Sequence, residues 1–290
     1  MSAGDRIRGR TIAITGAARG IGAATAAALL QRGARVVIGD RDPVALATAL
    51  RELGPGPVSG YDLDVTEPRS FAAFLDQARG EGGGHLEVLI NNAGVMPVGP
   101  FVDQSPQSIR AALEVNIAGV ITGCRLVAPE MVARGGGHIV NIASMAGLVA
   151  VPGQAVYAAT KFAVVGLSTA LSDELAPHGV HVSTVLPTFT RTELIAGTTP
   201  GAAQGLVTPE AVARAVVTVL DTRRAQLAVP RHLRPLGRAI ALAGPRTRRF
   251  VNRRMGSDRT FLEFDTQARQ AYETRARASA SGRSPDGEVQ

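Results

Sequence analysis

Tyr157-Ala158-Ala159-Thr160-Lys161 places a phenol and an ammonium four residues apart in a helix-forming stretch, on one helical face. A phenol ionises near pH ~10 and is a poor base at neutral pH. A cation beside it favours the phenolate. Bringing it to about 7 takes roughly 3 pH units, or ~4 kcal/mol, which a close ammonium and a second positive charge can share. The pair is a candidate acid–base unit; the plain alternative is two ordinary helix-surface residues. Composition favours the chemical reading. Of 31 basic residues 30 are arginine, and the single lysine is Lys161. Lysine is a compact charge on a thin stem and arginine a wide fork, so a chain that otherwise uses arginine keeps lysine where that shape is required. Ser144 follows the strand-like run His138–Ala143. A hydroxyl there can bond a substrate oxygen, or simply cap the next turn.

A second constellation lies near the N-terminus. Thr15-Gly16-Ala17-Ala18-Arg19-Gly20-Ile21-Gly22 joins an apolar β-branched run to an alanine-rich helix. Glycines at such a turn let a phosphate approach the backbone, and the helix start offers free N–H groups with the favourable dipole end. The spacing is G-x-x-x-G-x-G, not G-x-G-x-x-G. Asp40 ends the second strand-like run, 18 residues after Gly22. An acid there can accept both hydroxyls of an adenosine ribose and repels a 2′-phosphate, which favours NAD. Arg19 and Arg41 pull towards NADP, because a guanidinium can neutralise that phosphate. Asp42, just before Pro43, suits a helix cap better than Asp40 does.

Strand-like and helical segments alternate to position these residues. Strands are expected at Thr11–Thr15, Arg35–Gly39, Val58–Asp62, Leu86–Asn91, His138–Ala143, Val180–Leu186 and Gln226–Val229. Helices are expected at Ile21–Gln31, Pro43–Leu53, Glu67–Arg79, Pro106–Ala133, Ala155–Ala176 and Pro209–Leu220. Such alternation predicts an α/β fold: one doubly wound parallel sheet of about seven strands with helices on both faces. The expected organisation is a cofactor-binding and catalytic domain over 1–230, an Arg-rich helical extension over 231–278, and a disordered tail over 279–290.

The 290 residues are 45 % hydrophobic and 19 % charged, which excludes wholesale disorder. Cys124 is the only cysteine, so neither an internal disulfide nor a cysteine-built metal site is expected, and a reducing, cytoplasmic setting follows. No run of 18 or more apolar residues suggests a membrane span, and Met1 to Thr11 has no apolar signal core. The net charge of +7 is local. Ten arginines and no acid lie between Thr222 and Ser257, and the rest of the chain carries a net −3. Nucleic-acid binding is not favoured: there is no tryptophan, aromatics are 4 %, and no nucleic-acid motif occurs.

Taken together, the residues resemble the classical short-chain dehydrogenase/reductase family. The likeness rests on T-G-x-x-x-G-I-G at 15–22, Asp40, Asp64-Val65, Asn91-Asn92-Ala93-Gly94, Asn116, Ser144, Y-x-x-x-K at 157–161, and Pro187 with Thr192. It covers roughly residues 8 to 230. The resemblance implies a Rossmann-type domain and a homo-oligomer. It further implies an NAD(P)-dependent oxidoreductase interconverting an alcohol and a ketone or aldehyde. Tyr157 would be the general acid/base, Lys161 would lower its pKa and hold the nicotinamide ribose, and Ser144 would orient the substrate oxygen. Asn116 would support a water linking Lys161 to solvent. Asp64 and Val65 would contact adenine, Asn91 to Gly94 would floor the cofactor site, and Thr192 would contact the nicotinamide amide or phosphates. Gly16, Arg19, Gly20, Ile21, Gly22, Asp40 and Pro187 complete the implied cofactor site. No metal is implied. Thr188 stands where the family commonly has glycine.

Two rival functions need naming. A serine hydrolase is disfavoured because Ser144 is not in G-x-S-x-G. A non-catalytic NAD(P) sensor would keep the glycine turn but has no need of Tyr157, Ser144 and Lys161 together. Val95, Met96, Val98, Phe101, Val149, Val151, Leu194, Ile195 and Leu206 suggest an apolar alcohol or ketone, while the nearby Arg191 leaves an acidic substrate open; a peripheral membrane-associated reductase of the lipid, retinoid or steroid type is a further alternative. Residues 231–254 fit either an extension docked on the domain, or on another subunit, or a basic amphipathic element on an anionic membrane. The docked reading is favoured.

Overall fold

The computed structural model describes residues 5–199, 206–254, 256–257 and 259–278. Seven parallel strands form one sheet in the order β3-β2-β1-β4-β5-β6-β7. They are β1 Thr11–Thr15, β2 Arg35–Asp40, β3 Val58–Asp62, β4 Val88–Asn91, β5 Gly137–Ile142, β6 Val180–Pro187 and β7 Gln226–Val229. Helices α1 Gly20–Gln31, α2 Pro43–Leu53 and α3 Pro68–Glu81 join the first four strands. Then come α4 Pro106–Leu113, α5 Gly119–Arg134, α6 Ala155–Leu175 and α7 Pro209–Thr222. The chain continues through α8 Leu233–Leu242, α9 Pro245–Arg254 and α10 Thr266–Ala278. The order reverses between β1 and β4, where a doubly wound sheet opens its ligand crevice.

Strand side chains alternate between two cores. Ala13, Val37, Leu89 and Ile139 pack with Phe71, Leu75, Met131 and Val164 on one face. Ile12, Ile14, Val36, Ile38, Ile90 and Val140 pack with Leu29, Leu46 and Val216 on the other. Burial on both faces explains why the central strands read as unbroken apolar runs. Local caps fix the ends. Asp42 accepts from Ala45 N at 2.9 Å with Pro43 in the first turn of α2, as the sequence predicts, and Ser105 and Thr208 do the same for α4 and α7.

Three features of the structure add to the sequence reading. The helical stretch expected over 106–133 runs unbroken, but it contains a π-helical turn, Glu114–Ala118, between α4 and α5. The stretches Pro106–Arg134 and Ala155–His178 are long and apolar enough, by length and composition, to span a bilayer. Here they cover the sheet instead: α5 packs on β4 and β5, and α6 on β6. Third, Thr188 needs no glycine backbone, since Arg223 is the only non-glycine residue at positive φ among the described residues. The tail expected over 279–290 lies outside the described residues, as does part of the segment after β6.

Candidate active site

The carboxyl ends of β1 to β6 open on one cavity of about 1110 Å³. At its cofactor end the glycine turn is built by close packing. Gly16 has φ +62°, and a Cβ there would lie 2.7 Å from Ala93 Cα. A Cβ on Gly22 would lie 2.6 Å from the Gly16 carbonyl oxygen. Asn92 Nδ2 donates to the carbonyls of Thr15 and Gly16 at 2.9 and 2.7 Å. Thr15 Oγ1 accepts from Asn92 N and Ala93 N, each at 3.0 Å. The turn and the end of β4 are thus one clamped unit. Helix α1 starts at Gly20 with no acid in its first turn, and the Arg19 side chain makes no capping bond. Its leading N–H groups are left for an anion at the positive end of the helix dipole. Gly20 and Ile21 line the cavity with Gly16; Gly22 packs behind them.

The far end of the crevice is acidic. Asp40 Oδ2 accepts from Ala18 N at 3.0 Å and Oδ1 from Asp42 N at 3.2 Å. Arg19 pairs with Asp42 at 2.6 Å, and Arg41 lies 3.9 Å from Asp64. The Ala45 N–H and the Arg19 guanidinium hold Asp42 below the ordinary carboxylate range. Asp64 also accepts from Thr66 N and Oγ1 at 2.9 and 2.6 Å. Asp40, Asp42, Asp62, Asp64, Arg19 and Arg41 all line the cavity. Both guanidiniums face carboxylates, and acids outnumber them. Val65 completes this wall. An uncapped helix start beside this pocket of carboxylates and guanidiniums fits a dinucleotide.

The opposite end holds the acid–base groups. Tyr157, in the first turn of α6, is buried and lines the cavity together with Ser144. Ser144 Oγ also accepts from Ala146 N at 3.1 Å and donates to the Pro187 carbonyl at 3.4 Å. It therefore caps its turn and shares the cavity with Tyr157 at once, so the two sequence readings of Ser144 are compatible. Lys161 Nζ donates to the Ile142 carbonyl at 2.9 Å and lies 5.7 Å from the centre of the Tyr157 ring. Burial pushes the Lys161 ammonium down to about 8. Burial also pushes the Tyr157 phenol up, against the lowering effect of Ser144. Desolvation governs both groups, and the phenolate needs a further positive charge in the cavity.

Asn116, Asn91 and Thr192 take distinct places. The π-turn carries Asn116, which is fully buried; its Nδ2 donates to the Val95 carbonyl at 2.8 Å and to Thr160 Oγ1 at 3.0 Å. Its Oδ1 accepts from Val95 N at 2.8 Å. It does not line the cavity: it is a positioning residue that holds the segment after β4 against α6. Gly94 fits between these groups, since a Cβ there would lie 3.3 Å from Asn116 Oδ1 and 3.7 Å from Lys161 Nζ. Asn91 is corrected as a cofactor contact. It points into the core, donating to Asn141 Oδ1 at 2.9 Å, with Asn141 bonded on to Ser168. Asn92, Ala93 and Gly94 line the cavity in its place. Thr192 and Pro187 line it too, with Thr192 Cγ2 3.1 Å from where a Cβ of Gly20 would be.

The sequence reading missed the roof of the cavity. Leu233, Gly237, Ile240, Val251, Tyr272 and Ala276 line it, so α8 to α10 close the site instead of merely docking on its outside. Arg269 is fully buried. Its guanidinium donates to the carbonyls of Leu194, Ala196 and Met96, and its Nε pairs with Glu273 at 3.0 Å. Tyr272 Oη accepts from Met96 N at 2.6 Å. Phe261 stacks on Phe189 at 5.3 Å. A signal existed: four of the eleven phenylalanine and tyrosine residues, at 250, 261, 264 and 272, lie in an otherwise Arg-rich stretch. Of the expected substrate wall, Val95, Val149, Val151, Leu194 and Ile195 line the cavity, whereas Phe101 is exposed.

Known proteins share this arrangement. The profile of the short chain dehydrogenase family matches residues 10–202. The chain is 38 % identical over 191 residues to the D-threitol dehydrogenase of Mycolicibacterium smegmatis, covering 65 % of this chain and 73 % of that protein. A short chain dehydrogenase/reductase from Burkholderia phymatum, solved with NAD, superposes with TM-score 0.73 at 28 % identity, covering 80 % of this chain and 93 % of that one. A gluconate 5-dehydrogenase from Burkholderia cenocepacia, solved with NADP and tartrate, gives TM-score 0.70 at 31 % identity over 77 % and 95 % of the two chains. The family profile, the parallel sheet and the relatives agree: this chain belongs to the short-chain dehydrogenase/reductase family, and it is an oxidoreductase that uses a nicotinamide cofactor.

Proposed function

We propose that the chain interconverts an apolar alcohol and its ketone or aldehyde with NAD, using Tyr157 as general acid/base. The observation that carries this reading is that Tyr157, Ser144 and Lys161 line one cavity, with the Lys161 ammonium 5.7 Å from the centre of the Tyr157 ring. A carbonyl oxygen placed against both hydroxyls accepts two hydrogen bonds, which polarises it. The nicotinamide, when bound, supplies or accepts the hydride at the neighbouring carbon. Tyr157 gives its proton to the oxygen in reduction and takes it in oxidation. Lys161 is oriented by the Ile142 carbonyl and, while cationic, stabilises the phenolate between the two events.

The excess of carboxylates around Asp40 supports NAD over NADP, since a 2′-phosphate would meet like charge there. Structural relatives have been solved with either cofactor. Val149, Val151, Leu194 and Ile195 support an apolar substrate. Following NADH fluorescence with a panel of apolar alcohols and ketones tests cofactor, activity and substrate class together. Turnover confined to NADPH, or to strongly polar polyols, would refute the corresponding part.

A further inference from the structure

Helices α8 and α9 form a corner with two unlike sets of side chains. Leu233, Gly237 and Ile240 of α8 and Val251 and Asn252 of α9 line the cavity. Outside it, Leu242 at the end of α8 is 90 % exposed and Phe250 in α9 is 68 % exposed. Arg246, Arg248, Arg249, Arg253 and Arg254, all on α9, are exposed too. No acid occurs from Arg223 to Ser257 to offset them.

We propose that this corner docks on an anionic lipid bilayer, with Leu242 and Phe250 entering the boundary between headgroups and acyl chains and the arginines on lipid phosphates. The charge pattern selects this partner. Large exposed apolar side chains on helices that also expose arginines match an interface whose outer layer is anionic and whose inner layer is hydrocarbon. A second copy of the chain, paired face to face through the same patch, would set five arginines against five. A nucleic acid would engage the arginines and could stack on Phe250, but offers nothing to Leu242. The same two helices wall the cavity, so docking would bring its mouth to the bilayer. This gives an apolar alcohol or ketone a short path from lipid to Tyr157, a consequence that rests on the function proposed above; the docking itself does not.

The test is co-sedimentation of the full chain with vesicles of phosphatidylcholine alone and of phosphatidylcholine with phosphatidylglycerol, at low and raised salt. Expected is binding to the anionic vesicles that weakens with salt. It should fall by about tenfold or more in the double variant Leu242→Ser/Phe250→Ser and vanish when the five α9 arginines become glutamine. NADH binding serves as the control that each variant is folded. No binding at low salt, or binding unchanged in the Leu242→Ser/Phe250→Ser variant, overturns the proposal. So does a dependence on these residues seen only for a duplex oligonucleotide or for self-association by light scattering. Vesicle binding without turnover of any alcohol or ketone would leave the docking standing and count against the proposed function instead.

Discussion

The guanidinium carbon of Arg269 lies 4.7 Å from the centre of the Tyr272 ring, and both side chains end on the backbone of Met96. One turn of α10 therefore ties the segment after β4 to the segment after β6, whose Leu194 and Ala196 carbonyls Arg269 also holds. A buried guanidinium is tolerable only because its donors are used and Glu273 offsets its charge.

Arg269→Met should therefore cost about 3–5 kcal/mol, because it strands the carbonyls of Met96, Leu194 and Ala196 and removes the buried cation beside Glu273. Arg269→Lys should recover little, since an ammonium cannot reach three carbonyls in a fixed fork. Urea unfolding of the three proteins measures both.

Tyr157→Phe keeps the ring and removes the proton. Turnover should fall by about 10²–10⁴-fold, the usual worth of a general acid/base, with NADH affinity nearly unchanged. Near-normal turnover in the variant would remove Tyr157 from the mechanism.

Asp40→Ser should relax the cofactor choice. Removing the carboxylate subtracts repulsion from a 2′-phosphate and weakens the hold on a ribose diol. The ratio of NADP to NAD affinity, read by fluorescence titration, should rise by about tenfold or more, a change of ~1.4 kcal/mol. An unchanged ratio would place the discrimination elsewhere.

His138 makes stability depend on acid. Burial, then the charges of His181, Arg223 and Arg6, push its pKa down to about 3, and its Nε2 lies 2.8 Å from Ser183 Oγ. An unfolded histidine titrates near ~6.5. Between these values the unfolded chain binds the extra proton, so stability is full above ~6.5 and is lost as pH falls towards 3, by up to ~1.4 kcal/mol per pH unit. His138→Gln should flatten this part of the pH–stability curve measured by denaturant titration.

How much of this was legible depends on how local the cause is. The bounds of α2 and β3 coincide with expectation because Asp42, Pro43 and Gly54 act within a few residues of the helix they delimit. Parity also carried information that the motif obscured. Asn91 is in phase with Leu89, which points into the core, so strand alternation places it there and leaves the cavity to Asn92. The π-turn at Asn116 was invisible because one extra residue in a helical turn leaves no periodic trace. The roof could not be read because its position follows from long-range contacts such as Arg269 to Met96, separated by 173 residues. The family match was no guide there either, as it ends at residue 202.

The cavity's two halves are encoded far apart. The groups proposed to move a proton or cradle a cofactor come from residues up to Thr192, while Leu233 to Ala276 line the space above them. Selection can act on the second stretch with little effect on the first so long as Arg269 and Tyr272 keep their hold on Met96. Engineering can do the same: an exchanged C-terminal segment would retune which molecule is admitted while inheriting the same redox chemistry unaltered.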